Sequence, residues 1–134
     1  MILLNLPFKV KSGKKRNGLV NWVQLAPSMN IQVREHFFAK LKRKEIIKRL
    51  ILDQITIPES PLKHVRIVYR RCSVKLLDPI DNFGASFKAL GDCIVELGII
   101  SDDASDCIDN YKPNPIKVDT LADQRIEIEI HYEE

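Results

Sequence analysis

Apolar residues follow two different periods along this chain. Near the N-terminus Ile2, Leu4 and Leu6 alternate, imperfectly, with Leu3 and Asn5, which predicts a strand over residues 1–10. The stretch KSGKKRNG, rich in glycine and cations, follows as a turn. LVNWVQLA then predicts a second strand, so that the two make a loose hairpin with a basic tip. In HVRIVYRRCSVKLL, Val65, Ile67 and Tyr69 fall on one face and Arg66, Val68 and Arg70 on the other. In the terminal QRIEIEIHY, Ile126, Ile128 and Ile130 alternate with Glu127, Glu129 and His131, the pattern of a strand with one dry face and one wet face.

Between these strands the period lengthens. PSMN offers Ser28 or Asn30 as a helix cap, and a helical pattern runs from about Ile31 to Gln54. At ~100° per residue, Phe37, Phe38 and Leu41 point one way, and Ile46, Ile47, Leu50 and Ile51 point roughly opposite. One straight helix with one buried stripe cannot satisfy both sets. Either the segment breaks near KRKE, or its second apolar face packs against another subunit, the reading favoured. A second helix is expected from about Phe83 to Leu97, where Phe83, Phe87, Leu90, Ile94 and Leu97 form one narrow stripe and Gly98 stands at the C′ position. TIPESP is expected as a loop and DCIDNYKPNPIKV as an irregular, proline-rich connection. The sum is one α+β domain over residues 1–134, with a mixed or antiparallel sheet and two main helices.

Composition changes this picture little. At 134 residues, 45% hydrophobic and 29% charged, the chain suits one folded domain with its own core. No apolar run approaches the ~20 residues that span a bilayer, and MILLNLPFKVK is apolar first and basic afterwards, the reverse of a signal peptide. Cys72, Cys93 and Cys107 lack CxxC spacing, which fits reduced thiols in the cytoplasm better than disulfides or a zinc site. His36, His64 and His131 are scattered and read as structural or surface residues.

Charge changes it more. Residues 1–71 hold 16 Lys/Arg against 4 Asp/Glu, a balance of +12, and residues 72–134 hold 5 against 14, a balance of −9. A basic half suggests a polyanionic partner such as nucleic acid. An acidic half would repel that partner unless something neutralises it, and a divalent cation would do so. Lys11, Lys14, Lys15 and Arg16 on the hairpin tip, with Arg70, Arg71 and Lys75, are the candidate phosphate contacts. Trp22 and Tyr111 could stack on bases, although burial is the commoner use for a residue like Trp22.

The acid concentrates in DPIDNFGASFKALGDCIVELGIISDD, residues 78–103. Taken singly, its members fit plain structural roles. Asp81 or Asn82 can cap the helix, and Lys88 with Asp92 makes an i, i+4 pair. The run DDASDCID is not an EF-hand loop, since the glycine and closing glutamate are missing. Taken together, Asp78 from a strand end, Asp81 from a helix start and Asp103 from the far loop supply the hard oxygen ligands that Mg²⁺ prefers. Lys88 is placed to orient a water or to stabilise developing charge.

In this stretch the chain resembles the RusA family of crossover-junction endodeoxyribonucleases, small enzymes of bacteria and their phages. The family carries aspartates around an Asp-Asn pair, then a lysine, an aspartate four residues on, a glycine and a closing Asp-Asp. Here they stand as Asp78, Asp81-Asn82, Lys88, Asp92, Gly98 and Asp102-Asp103. The resemblance covers about 26 residues closely and the flanking strands loosely. It implies a homodimer that binds four-way DNA junctions and nicks them symmetrically with Mg²⁺ and no small-molecule cofactor. Asp78, Asp81 and Asp103 would be metal and catalytic residues, Lys88 the catalytic lysine, and Asn82, Asp92 and Asp102 supporting groups. The chain departs from the family in reading Asp-Pro-Ile-Asp for a tighter Asp-x-Asp, and in an interval from Asp81 to Lys88 that is three residues longer. Two other readings stand beside this one. One is a nucleic-acid-binding or phage regulatory protein of the same fold that does not cut. The other treats the acidic face as solvated and the basic half as a surface for a protein partner.

Overall fold

Period-two alternation places the isoleucines of the last strand under the helices, and the fold is organised around that placement. The computed structural model describes residues 1–14, 17–78, 82–102 and 107–133, with the side chains of Lys14 and Asn82 not included. In chain order the elements are β1 (Ile2–Pro7), β2 (Lys9–Lys14), β3 (Val20–Gln24), α1 (Met29–Arg34), α2 (Phe37–Gln54), β4 (Val65–Ser73), α3 (Asn82–Ser86), α4 (Lys88–Glu96), β5 (Ile108–Lys117), a single 3₁₀ turn (Leu121–Asp123) and β6 (Arg125–His131). The domain is α+β, with a four-stranded mixed sheet in the order β1-β6-β4-β5 and a separate β2-β3 hairpin. β6 runs antiparallel to both β1 and β4, while β4 and β5 are parallel.

Register explains the core. Leu4 opposes Ile128, and Ile128 opposes Tyr69, so one row of fully buried side chains crosses three strands. Ile126 and Ile130 head the neighbouring rows with Leu6 and Ile67. Ile46, Ile47 and Ile51 of α2 and Leu90 and Ile94 of α4 close over this face in a single cluster. Cys72, Cys93 and Cys107 are free thiols and buried. Among the described residues no helix is long and apolar enough to cross a membrane.

Four local expectations need correction. The strand expected over residues 1–10 divides at Phe8: its first half pairs with β6, and its second half, β2, forms the hairpin with β3. The stretch expected as an irregular connection is the strand β5. Pro113 and Pro115 are tolerated there because β5 is an edge strand and the two prolines, two residues apart, turn their missing N–H groups the same way.

The helix expected over 31–54 breaks at Glu35–His36 rather than near KRKE. Ser28 Oγ accepts from Ile31 N–H at 3.3 Å to start α1, and His36 Nδ1 accepts from Phe38 N–H at 3.4 Å to restart the chain as α2. The cause of the break is Arg43, which is buried, grips both carboxylate oxygens of Glu35 and donates from Nε to the Gln24 carbonyl at 2.6 Å. A continuous helix would carry Glu35 away from that fork. KRKE itself stays helical, and Phe37 and Phe38 remain 65% and 69% exposed.

The second helix is divided at Phe87 into α3 and α4. Ser86 Oγ donates to the Phe83 carbonyl at 2.6 Å and so occupies an acceptor of the helical ladder. Phe87 keeps helical angles, and Gly91 N–H bonds back to it at 2.8 Å, so the axis continues beyond the interruption. Gly98 ends α4 at φ +81°, a conformation that suits glycine at the C′ position.

Tyr69 seats this helical crossover on the sheet. Its ring stacks on Phe83 at 5.4 Å and meets Phe87 at 4.9 Å, and its hydroxyl lies 2.8 Å from Ser86 Oγ. Burial pushes its pKa up to about 12. Tyr69→Ala should lower unfolding free energy by about 3–5 kcal/mol through the cavity it leaves. Tyr69→Phe should lower it by only about 1 kcal/mol, because Ser86 keeps its bond to Phe83. Urea unfolding of the two variants measures the difference.

Candidate functional site

The acidic motif occupies a strand–helix–strand crossover. The Asp78 carbonyl accepts from Phe83 N–H at 2.8 Å, which fixes Asp78 beside the first turn of α3. At the other end Ile100 bridges to Leu62, and Ser101 N–H donates to the Leu62 carbonyl at 3.2 Å. Asp102 follows directly, on the side of the sheet where Val65 N–H bonds Cys107. The helices between have 5 and 9 residues, so at ~1.5 Å per residue roughly 20 Å of helix separates the two anchor points. Of the expected metal set Asp78, Asp81 and Asp103, the described residues include Asp78 alone. Asp81 and Asp103 lie outside the described residues. Among the described residues no three His, Cys, Asp or Glu side chains gather as a metal-binding group.

Lys88 opens α4 with its side chain 72% exposed, and its Nζ stands 3.6 Å from Asp92 Oδ2. Asp92 also faces Lys44 Nζ of α2 at 3.7 Å, and Glu96, one turn on, takes Lys44 at 3.0 Å and Lys48 at 3.1 Å. The acidic face of α4 is thus compensated by the basic face of α2. Hydrogen bonds from Lys44 and then Lys48 hold the Glu96 carboxyl below its ordinary range. Burial works against the Lys44 ammonium, but its bond to Glu96 and the charges of Glu96 and Asp92 leave its pKa raised. Phe37, Leu41, Lys40, Lys44, Lys88 and Asp92 line a shallow cavity of about 230 Å³ between α2 and α4.

The candidate phosphate contacts divide. Arg71 is 4% exposed: its Nε donates to the Ala26 carbonyl at 2.9 Å, its Nη1 to Ser73 Oγ at 3.1 Å, and its guanidinium lies 4.7 Å over the Phe8 ring. It is an interior tie between β4 and the hairpin's base and not a surface contact for phosphate. Arg70 lies on the wet face of the sheet, where it bonds Glu127 at 2.7 Å and pairs with Glu129. Its charge is spent within the sheet. Lys75 is exposed, and its carbonyl accepts from Ser73 Oγ at 2.9 Å. Lys15 and Arg16 lie outside the described residues, as does the side chain of Lys14.

Lys11 stands in a different setting. It is cross-strand partner to Trp22, with its Nζ 5.5 Å from the ring centroid, and Lys9 Nζ lies over the same ring at 4.6 Å. Trp22 is 45% exposed, which corrects the expectation of burial. Lys9 was not among the candidates. Its signal, a Lys-x-Lys facing one side of a strand, is legible only once the strand is known to restart after Phe8. The histidines behave as expected: His36 caps α2, His64 lies 3.2 Å from Asp109, and His131 lies 2.9 Å from Glu129.

No family model and no curated protein matches the chain, so the likeness to RusA nucleases rests on the motif residues alone.

Two outcomes follow for stability. Arg71→Ala should cost about 2–4 kcal/mol, from lost buried hydrogen bonds and from space opened beneath Phe8. Arg71→Lys should recover little of it, since an ammonium cannot reproduce the fork. Acid should act through the sheet ladder. Arg70, then Arg125, hold Glu127 below its ordinary 4.5, and Arg70, then His131, do the same for Glu129. Depressed carboxylates stabilise the fold above their unfolded values and lose that contribution as pH falls through the folded ones. Midpoints of urea unfolding should therefore be flat above about pH 5 and fall below it, less steeply in Arg70→Ala.

Proposed function

We propose that the protein is a Mg²⁺-dependent endodeoxyribonuclease that acts on four-way DNA junctions as a homodimer in recombination or repair. The observation that carries this reading is the spaced set Asp78, Asp81-Asn82, Lys88, Asp92, Gly98 and Asp102-Asp103. That set spans a strand–helix–strand crossover in which Lys88 is the first residue of α4 and largely exposed. When bound, magnesium would supply charge neutralisation at a phosphodiester and a more acidic water. Lys88 would stabilise negative charge from the rim. The homodimer is supported by the exposed apolar side chains of Val33 on α1 and of Phe37, Phe38 and Leu41 on α2. A two-fold dimer also suits a substrate of near two-fold symmetry.

A second reading, a nucleic-acid-binding protein that does not cut, is favoured by the exposed Trp22 flanked by Lys9 and Lys11. Purified protein incubated with a synthetic four-way junction, a linear duplex and single-stranded DNA, with Mg²⁺ or with chelator, distinguishes the two. The nuclease reading expects paired nicks in the junction, lost with chelator and reduced by about 10²-fold or more in Asp81→Asn, Asp103→Asn and Lys88→Ala, with junction affinity retained. Junction binding without metal-dependent nicking leaves the binding protein. Absence of binding to every substrate at low salt removes both.

A further inference from the structure

The hairpin has two chemically distinct faces. Val10 and Val23 oppose each other and pack on the core, while Lys9, Lys11, Trp22 and Gln24, paired as Lys9↔Gln24 and Lys11↔Trp22, share the outward face. A tryptophan left 45% exposed gives up burial that the core below could have provided, and here it carries two ammonium groups over its ring. Beside it, between β3 and α1–α2, opens a cleft of about 300 Å³ lined by Asn21, Trp22, Gln24, Ile31, Glu35 and Lys42. That volume stands at the low end of small-ligand sites.

From this arrangement we propose that the outward face of the β2-β3 hairpin is a stacking platform for an unpaired nucleobase of a single-stranded nucleic acid. Trp22 supplies the π surface and Lys9 and Lys11 receive the flanking phosphates. The proposal rests on the nucleic-acid reading above and adds the substrate feature this face selects. Duplex bases bury their faces against one another and show a protein only their edges, whereas an unpaired base offers its face to an aromatic ring. The lysines that rest on the indole in the free protein have long, flexible stems. They can move to phosphates at the ring's rim when the base arrives, exchanging one cation–π contact for a charge pair. DNA and RNA share this chemistry, so the sugar is left to the experiment.

Trp22 is the single tryptophan in the chain, so intrinsic fluorescence reports this face without a label. The full chain is titrated with dT and rU oligomers, an abasic oligomer of equal length and a blunt duplex, following tryptophan emission and, separately, anisotropy of end-labelled nucleic acid. Quenching by the dT or rU oligomer, with little from the abasic strand or the duplex, is the expected result. The tighter of the two oligomers assigns the sugar. Trp22→Ala should weaken single-strand affinity roughly 5- to 150-fold while changing abasic-strand affinity less than about 2-fold, and Trp22→Phe should recover most of the loss. Lys9→Ala and Lys11→Ala should each flatten the log-affinity against log-salt slope by about 0.7. Binding seen by anisotropy with unchanged tryptophan emission, or equal losses on dT and abasic strands in Trp22→Ala, would overturn the platform and leave nucleic-acid binding standing. No binding to any of the four at low salt would overturn the platform, and no binding to a four-way junction titrated alongside would overturn the nucleic-acid reading with it.

Discussion

Burial of Tyr69 under the α3–α4 crossover is the constraint on which the rest of the structure depends. β4 is the central strand, bonded to β6 on one side and β5 on the other, and Tyr69 stands in its middle. A phenol buried that deeply must find a partner for its hydroxyl, and Ser86 is that partner. Meeting this requirement fixes the rotation of α3 about its own axis. That rotation in turn presents Phe83 and Phe87 to the tyrosine and leads the chain out towards Lys88. The positions of Asp78 and Lys88 are thus set by a hydrophobic seat, and the spacing between them follows from where the helix must be interrupted to satisfy it.

The same seat shapes the interval from Asp78 to Lys88. Ser86 and Phe87 lie in that interval, and it is there that α3 gives way to α4. Because the backbone at Phe87 stays helical, the rotation of ~100° per residue carries on through the interruption. Lys88 heads α4, with Asp92 one turn below it.

Much of the architecture could be read from hydrophobic spacing. β1, β4, β6, the apolar stripe of α4 and the Gly98 terminus all follow from it, because each buries one face on one core. What could not be read depends on contacts distant in sequence. The break at Glu35 follows from Arg43 reaching back to it and across to Gln24. The strand character of β5 follows from its place at the sheet's edge, which alone makes Pro113 and Pro115 acceptable. Arg71 looks like any other basic residue in YRRC until the strand's parity places it inward. The charge asymmetry was legible too, but its meaning was only half so. Arg70 takes up Glu127 and Glu129, and Lys44 and Lys48 take up Glu96, so part of the acidic half is answered by the basic half.

That internal compensation sharpens where an external anion could act. A polyanion competing for Arg70 or Lys44 must first break ion pairs whose carboxylates would then face it, a repulsion that offsets the new contact. Lys9 and Lys11 present no such obstacle, for what they rest on is the neutral face of Trp22, and leaving it exposes no like charge to the incoming phosphate. The hairpin that carries them is a two-stranded sheet of its own, tied at its base by Leu25 N–H to the Phe8 carbonyl and by Arg71 beneath Phe8. Rearranging its outer side chains therefore disturbs neither the four-stranded sheet nor the Tyr69 seat. The proposed affinity for a charged strand is assigned to this surface because its cations can be redirected with little cost to the core.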